Sequence, residues 1–346
     1  MVIIVLAAFL VSLAATGALT RAEGWLRIMD RPNERSLHTR PTPRTGGLAI
    51  CLASITALTL AAIIGWGARA ELAWIAGAAL IIGVVSFIDD RTPLPARTRL
   101  VAQLAGAGLI AGGGLVPETI AWPGGGLTPG AWLGGALWVV FLVWMVNLYN
   151  FMDGMDGLAG GMAVFGFGTL GVLGLLAGDP GYAGICWVIA ASAAGFLVWN
   201  FPPARIFMGD IGSSTLGLMA AALSLWAGAR DLFPLWIAVL VFFPFIFDST
   251  VTLLRRSLEG KRVWEAHRTH YYQRLVQTGW THRRTTLWEY AAMAVCAAGA
   301  VSALRAPVTV QVLIIAVIIA LHVGAAVAVN IIERKRGGSL TEKSVR

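Results

Sequence analysis

Apolar residues run along this chain in long unbroken stretches, unlike the mixed pattern of a soluble core. Such runs lie at 2–20, 46–66, 72–88, 100–116, 131–149, 161–178, 183–200, 214–229, 233–254, 286–304 and 308–332. About 20 apolar residues in helical form cross a hydrocarbon slab, and a helix is favoured there because it satisfies its own backbone N–H and C=O groups. The pattern predicts an all-α, polytopic membrane bundle of eleven helices. It forms one transmembrane domain over 1–332, followed by a basic tail over 333–346. The Gly-rich stretch 110–130 is a place for a re-entrant piece. The first run has no basic segment ahead of it and is followed by Arg21, so it reads as a retained span and not a cleaved leader.

Composition agrees: of 346 residues, 57% are apolar and 13% charged, which excludes an ordinary pair of soluble domains. The charges give the bundle a sidedness. Basic residues stay in the cytoplasm, and Arg21 follows the first span, so the N-terminus is expected outside, in the periplasm. Threading eleven spans from there puts 23 of the 26 basic residues in cytoplasmic segments and leaves only Arg69, Arg230 and Arg305 outside. The net charge of +8 therefore reads as topology and contact with anionic membrane lipids, not as nucleic-acid binding. Cys51, Cys186 and Cys296 sit in apolar runs without metal or disulfide spacing and read as small buried residues.

Polar chemistry gathers on the same predicted side. Asp89 and Asp90 end the third span, where acids oppose the helix dipole and need a cation or water; Arg91 is the simplest neutraliser. Asn147, Asn150 and Asp153 recur at helical spacing at the end of the fifth span. Asp156 follows, and Gly154, Gly157, Gly160 and Gly161 would let the backbone leave the helix and approach a ligand. Amides and carboxylates of this kind are oxygen ligands suited to Mg²⁺ when phosphates complete its shell. Phe207, Gly209, Asp210, Ser213 and Ser214 precede the eighth span; either serine would cap it and turn the helix N-terminus toward a phosphate. Four arginines, among them Arg40 and Arg44, lie with Asn33, His38, Gly46 and Gly47 in the loop after the first span. That loop would grip an anionic head group. The longest polar loop carries Glu265, His267, Arg268, His270 and Gln273, a donor mixture suited to a pyrophosphate or sugar and lacking the further ligands a zinc site needs. Asp248, inside the ninth span, reads either as functional or as paired with Arg255 or Arg256 two turns on.

Taken together, the segments PNERSLHTRPTPRTGG, FIDD, NLYNFMDGMDGLAGG, FMGDIGSS and HRTHYYQRL resemble, in order and over nearly the whole chain, the polyprenyl-phosphate N-acetylhexosamine-1-phosphate transferase superfamily, glycosyltransferase family 4. The last segment, with GWTHRRTTLWEY after it, looks like the WbpL-type branch that initiates O-antigen, and departs from the consecutive histidines of the peptidoglycan enzymes. The resemblance implies that Asp210 and Asn150 hold Mg²⁺, with Mn²⁺ as a substitute, against the donor pyrophosphate. It implies that Phe207 stacks on uracil and that Asn200, Asp153 and Asp156 shape the nucleotide pocket. Asp89 and Asp90 would position or deprotonate the lipid phosphate, and His267, Arg268 and His270 would contact the donor's phosphates or sugar.

The expected reaction is transfer of a sugar-1-phosphate from a UDP-activated N-acetyl sugar to undecaprenyl phosphate, with release of UMP. It belongs to lipopolysaccharide or related cell-wall polysaccharide synthesis at the cytoplasmic face of a bacterial inner membrane, by a monomer or homodimer. The sugar is N-acetylfucosamine, N-acetylquinovosamine or GlcNAc. A secondary transporter is the rival reading, but it would place its acids at mid-membrane on repeated half-helices, and no repeat is visible.

Overall fold

The computed structural model describes residues 1–26, 28–32, 37–63, 69–262 and 267–343. Asn33 and Glu265, singled out from the sequence, lie outside the described residues, as do the topological charges Arg27, Arg35 and Arg346. Helices dominate: α1 (Val2–Leu19), α2 (Gly46–Ile63), α3 (Arg69–Arg91), α4 (Ala96–Gly112), α5 (Ala131–Phe151), α6 (Leu158–Leu176), α7 (Pro180–Asn200), α8 (Gly209–Ala229), α9 (Leu235–Val241), α10 (Phe243–Leu258), α11 (Tyr271–Gln277), α12 (His282–Ala303) and α13 (Val308–Lys343). Two hairpins are the strands among the described residues. The first is β1 (Met29–Asp30) with β2 (Thr42–Pro43), and the second is β3 (Ile120–Trp122) with β4 (Gly125–Leu127). The chain is a multi-pass membrane protein. Among the described residues eight helices are long and apolar enough to cross a bilayer alone, namely α1, α3, α5, α6, α7, α8, α12 and α13.

Each expected span overlaps a helix among the described residues, with 64–66 of the second outside them, and one needs correction. The ninth is not continuous: α9 and α10 meet at an angle of 83°. Pro244 lies in the first turn of α10, where its missing N–H costs nothing, so the chain restarts there as a new helix. The polar residues of α10 explain why it leaves α9's line. Asp248, Ser249, Thr252 and Arg256 form a buried stripe on it, and that stripe needs protein partners that a straight span in lipid would not supply. The Gly-rich stretch holds no re-entrant helix. Trp122-Pro-Gly-Gly turns the chain between β3 and β4, with Gly124 at φ 81°, the conformation a Pro-Gly turn requires. Helix α13 continues through the expected tail to Lys343.

α8 is the centre of the bundle, buried along nearly its whole length and packed by α2, α3, α5 and α6. Lipid removes most of the hydrophobic drive between helices, so small residues and close packing hold them. A Cβ on Gly217 of α8 would stand 2.7 Å from the carbonyl oxygen of Met145 on α5, and one on Gly195 of α7 would stand 2.5 Å from that of Phe9 on α1. Polar tips inside find partners: the Tyr149 hydroxyl donates to the Ala159 carbonyl at 2.9 Å, and the Trp138 indole N–H donates to that of Pro117 at 2.8 Å.

Candidate active site

The ends of α1, α3, α5 and α7 and the starts of α2, α8 and α12 meet at one end of the bundle, as alternate threading requires. A cavity of 240 Å³ lies among them. Its walls come from the β1–β2 loop (Asp30, Leu37, His38, Arg44), the turn after α5 (Asp153, Gly154, Met155, Asp156), the α7–α8 connection (Asn200, Phe207, Gly209, Asp210), Gln273 of α11 and His282 of α12.

Two backbone segments are locked together beneath it. Phe207 N–H donates to the Pro43 carbonyl at 2.7 Å, Gly46 N–H to that of Phe207 at 2.9 Å, and Gly47 N–H to that of Met208 at 2.8 Å. The Gly-Gly pair allows this because α2 and α8 touch backbone to backbone: a Cβ on Gly47 would lie 2.4 Å from Gly212 N. Gly209, at φ 73°, turns the chain into α8 where a Cβ would strike Arg44's carbonyl at 2.3 Å.

The paired acids of α3 have separate partners. Asp90 accepts from the backbone N–H of Asp210 and of Ile211, both at 3.1 Å, so it caps α8 from another helix. This corrects the expected serine cap: Ser213 Oγ donates back to the Gly209 carbonyl at 3.3 Å, and the first N–H groups of α8 are capped by a carboxylate. Arg44 Nε stands 3.6 Å from Asp90. Asp89 accepts from Leu94 N–H at 2.6 Å and from Arg99 at 3.1 Å. Arg44 and Arg99 are thus cations paired with the two acids. Arg99 remains 44% exposed at its side chain.

Asn150 donates to Ser213 Oγ at 3.0 Å, and its amide also hydrogen-bonds Asp210. Asp153 follows within one turn, and its carboxyl is held well above the usual range, first by burial and then by the charges of Asp210 and Asp90. Three acids therefore crowd one another beside a cavity. Among the described residues no three His, Cys, Asp or Glu side chains form a ready-made metal cluster. Mg²⁺ does not need one, since it binds through one or two carboxylates plus substrate phosphates. Asp210 with the Asn150 amide fits that requirement.

Other expected residues are used differently. Asn147 is engaged away from the cavity, donating to Gln103 at 2.8 Å and to the Val143 carbonyl at 2.7 Å, where it links α5 to α4. Asn200 lines the cavity, but it accepts from Gly157 N–H at 2.9 Å and donates to the Ile206 carbonyl at 2.9 Å. Its amide staples two loops. The glycines after α5 allow close packing: a Cβ on Gly154, which also lines the cavity, would meet the Tyr272 hydroxyl at 2.3 Å, and one on Gly161 the Tyr290 ring at 2.0 Å. Gly157, at φ 75°, starts α6. Arg40 lies exposed on the β1–β2 loop and is not among the lining residues.

The long polar loop reaches the cavity through Gln273, not through its expected trio. Arg268 is exposed, and its carbonyl accepts from Gln277 at 2.7 Å. His267 packs against His270 with ring centroids 4.9 Å apart, and its pKa falls to about 4, mainly through burial and then the His270 and Arg256 charges. His270 is buried, with Nδ1 3.1 Å from Asp248. Asp248 also accepts from Tyr271 N–H at 3.0 Å, Tyr272 N–H at 3.2 Å and the Thr252 hydroxyl at 3.0 Å. Pairing with Arg255 or Arg256 is thereby corrected. Seven and eight residues of helix separate Asp248 from Arg255 and Arg256, ~10–12 Å along the axis, and the two arginines go to the carbonyls of Thr269 and Arg262. Arg274 pins the far end of α11 to Asn330 at 2.6 Å and to Glu333 of α13. Removing the Asp248 charge in an Asp248→Ala protein leaves these donors unpaired and should cost about 3–5 kcal/mol. A lowered melting temperature in detergent and faster proteolysis across 259–270 are expected; wild-type values in both assays would contradict this role.

Asp30 and His282 are lining residues that motif reading passed over. Asp30 stands 3.8 Å from His38, whose ring meets Phe207 edge-on at 4.9 Å. His282 follows a Thr281 cap that accepts from Arg284 N–H at 3.2 Å. A capping threonine directly before a histidine, in a loop where arginines already explain the topology, was the available signal.

Residues 72–228 match the family model "Glycosyl transferase family 4". Over 295 residues the chain is 31% identical to a Bacillus subtilis protein described as a probable undecaprenyl-phosphate N-acetylglucosaminyl 1-phosphate transferase, covering 83% of this chain and 81% of the relative. The chain belongs to glycosyl transferase family 4. This family-4 protein is also 32% identical over 335 residues to the Mycobacterium tuberculosis decaprenyl-phosphate N-acetylglucosaminephosphotransferase, covering 86% and 81% of the two chains. It is 32% identical over 263 residues to a Synechococcus phospho-N-acetylmuramoyl-pentapeptide-transferase, covering 69% and 72%. The resemblance to the superfamily read from the motifs is borne out.

Proposed function

We propose that this family-4 enzyme transfers an N-acetylhexosamine-1-phosphate from a UDP-sugar to undecaprenyl phosphate at the cytoplasmic face of a bacterial inner membrane, releasing UMP. The observation that carries the reading is the convergence on one cavity of Phe207, Asp210, Asp153 and Asp156, with Arg44 in the wall and Asp89 and Asp90 beside it, at the basic end of a membrane bundle. The printed names of the relatives support the class of reaction, and two of them support GlcNAc as a sugar to be weighed beside N-acetylfucosamine and N-acetylquinovosamine. Initiation of O-antigen or a related polysaccharide is the corresponding biological role.

In this reaction an oxygen of the lipid phosphate forms a bond to the sugar-side phosphorus of the donor, and the bond from that phosphorus to the bridging oxygen breaks as UMP leaves. Two anions must meet, so charge neutralisation supplies much of the catalysis. Asp210 and Asn150 would hold Mg²⁺, or Mn²⁺ in its place, and the bound cation would neutralise the donor pyrophosphate. Arg44 stands over the same space, and the exposed part of Arg99 offers a grip for the lipid phosphate. Asp89 has both oxygens engaged, by Leu94 N–H and Arg99. That supports a role in holding Arg99 rather than in taking a proton, which a phosphate monoester ionised near neutral pH does not require. Asp90 orients the first turn of α8 and with it Asp210.

Membranes containing the protein, given undecaprenyl phosphate and a panel of UDP-N-acetylhexosamines, should release UMP only when both substrates are present. Chelation should stop the release and added Mg²⁺ restore it. Uptake of a labelled solute into vesicles without UMP formation would overturn the reading in favour of transport.

A further inference from the structure

Asp156 is the acid of the Asn150–Asp156 run whose neighbours define its task most fully. Its Oδ2 accepts from Ala204 N–H at 3.0 Å, its Oδ1 faces His282 Nδ1 at 3.2 Å, and its carbonyl accepts from the Thr286 hydroxyl at 2.8 Å. Each carboxylate oxygen thus has a protein partner. Asn200 is likewise engaged at both ends of its amide, by Gly157 and Ile206. The polar groups expected beside Phe207 therefore also hold the wall together. Beside them the wall presents the imidazole of His282, whose side chain is 19% exposed and lines the cavity.

We infer that His282 is a specificity-determining residue that contacts the nucleobase of the donor, with Asp156 as the positioning residue that sets its orientation. The inference rests on the nucleotide-sugar reading above. In the neutral ring, an Nδ1 beside a carboxylate favours the tautomer protonated there, which leaves Nε2 as the acceptor. Phe207 supplies an apolar ring face in the same cavity, on which any planar base stacks with little preference, so discrimination must come from a polar edge. A lone pair accepts from the imide N–H of uracil and meets another lone pair at the corresponding ring nitrogen of cytosine. Sites that hydrogen-bond one partner reject an analogue lacking the matching group, because their own polar atom is then left unpaired.

The test is binding of UDP and of CDP to the full-length protein in detergent. The wild type should prefer UDP. His282→Ala should weaken UDP about 10- to 100-fold and leave CDP nearly unchanged, so that the preference collapses. His282→Gln, which restores an acceptor through its amide oxygen, should recover most of the UDP affinity and stands in if the alanine variant does not fold. In turnover, KM for the UDP-sugar should rise while KM for the lipid phosphate stays put. Unchanged UDP affinity in His282→Ala, or equal loss of UDP and CDP, overturns the assignment while leaving the proposed reaction intact. A wild type that binds neither nucleotide and releases no UMP overturns both.

Discussion

The Asp210→Asn protein is expected to fold and insert as the wild type does, and to release UMP about 10³-fold more slowly, the scale on which a single electrostatic group in a preorganised site acts. The substitution keeps the shape of the side chain in the first turn of α8. Its backbone N–H remains held by Asp90 and its neighbour Asn150 remains in place. What disappears is a negative charge next to two other acids, of which Asp153 is held well above the ordinary carboxylate range first by burial and then by the charge of Asp210. Removing that charge relieves crowding, so the melting temperature should hold or rise while the reaction is lost. Stability and activity are thereby read apart. Wild-type turnover, or a fall in activity that only tracks lost protein, would sink the assignment of Asp210 to the divalent cation.

Gly47→Ala is expected to have the largest effect on folding among conservative changes near the site. Its new Cβ would lie 2.4 Å from Gly212 N, 2.5 Å from Gly212 Cα and 2.8 Å from the Met208 carbonyl oxygen. All three are backbone atoms, so no rotamer change relieves the clash and α2 must move off α8. Overpacking of this kind costs about 1–3 kcal/mol when side chains can adjust, and here the cost should reach the upper end. The same shift breaks the hydrogen bonds from Gly46 and Gly47 to Phe207 and Met208 and carries Arg44 out of register with Asp90. A displacement of ~1 Å in a site built on position is worth about 10²-fold in rate. Gly77→Ala on α3 is the control, since its Cβ would meet its nearest neighbour, Leu109, at an ordinary 3.7 Å. Melting in detergent and UMP release should both fall for Gly47→Ala and neither for Gly77→Ala; parity between the two would refute the contact.

The sidedness of the bundle was legible because lipid imposes a coarse code. Apolar runs must be long enough to cross, and basic residues mark one side, so the polar segments were expected to face the same way before any tertiary contact was known. Their convergence on one cavity agrees with that reading. The break between α9 and α10 was less legible. The run 233–254 is apolar enough to count as a span, and only the partners waiting for Asp248 show why the chain turns at Pro244.

Roles within the site were the least legible part. A carboxylate's task depends on what occupies its two oxygens, and those neighbours lie far along the chain: Asp210 and Ile211 for Asp90, Ala204 and His282 for Asp156, His270 and the start of α11 for Asp248. The residue types and their spacing predicted that acids, amides and glycines would gather, which is a statement about composition at one end of a bundle. The sequence by itself determined the membrane architecture, the common side of the motifs and the family, because hydropathy, charge and motif order are properties of the chain read along its length. Only the tertiary structure decided that Asp90 caps α8, that Asn147 and Asn200 fasten helices and loops, and that His282 joins Asp156 in the cavity wall. Hydrogen bonds saturate, so a polar group already satisfied by the protein has little left to offer a ligand.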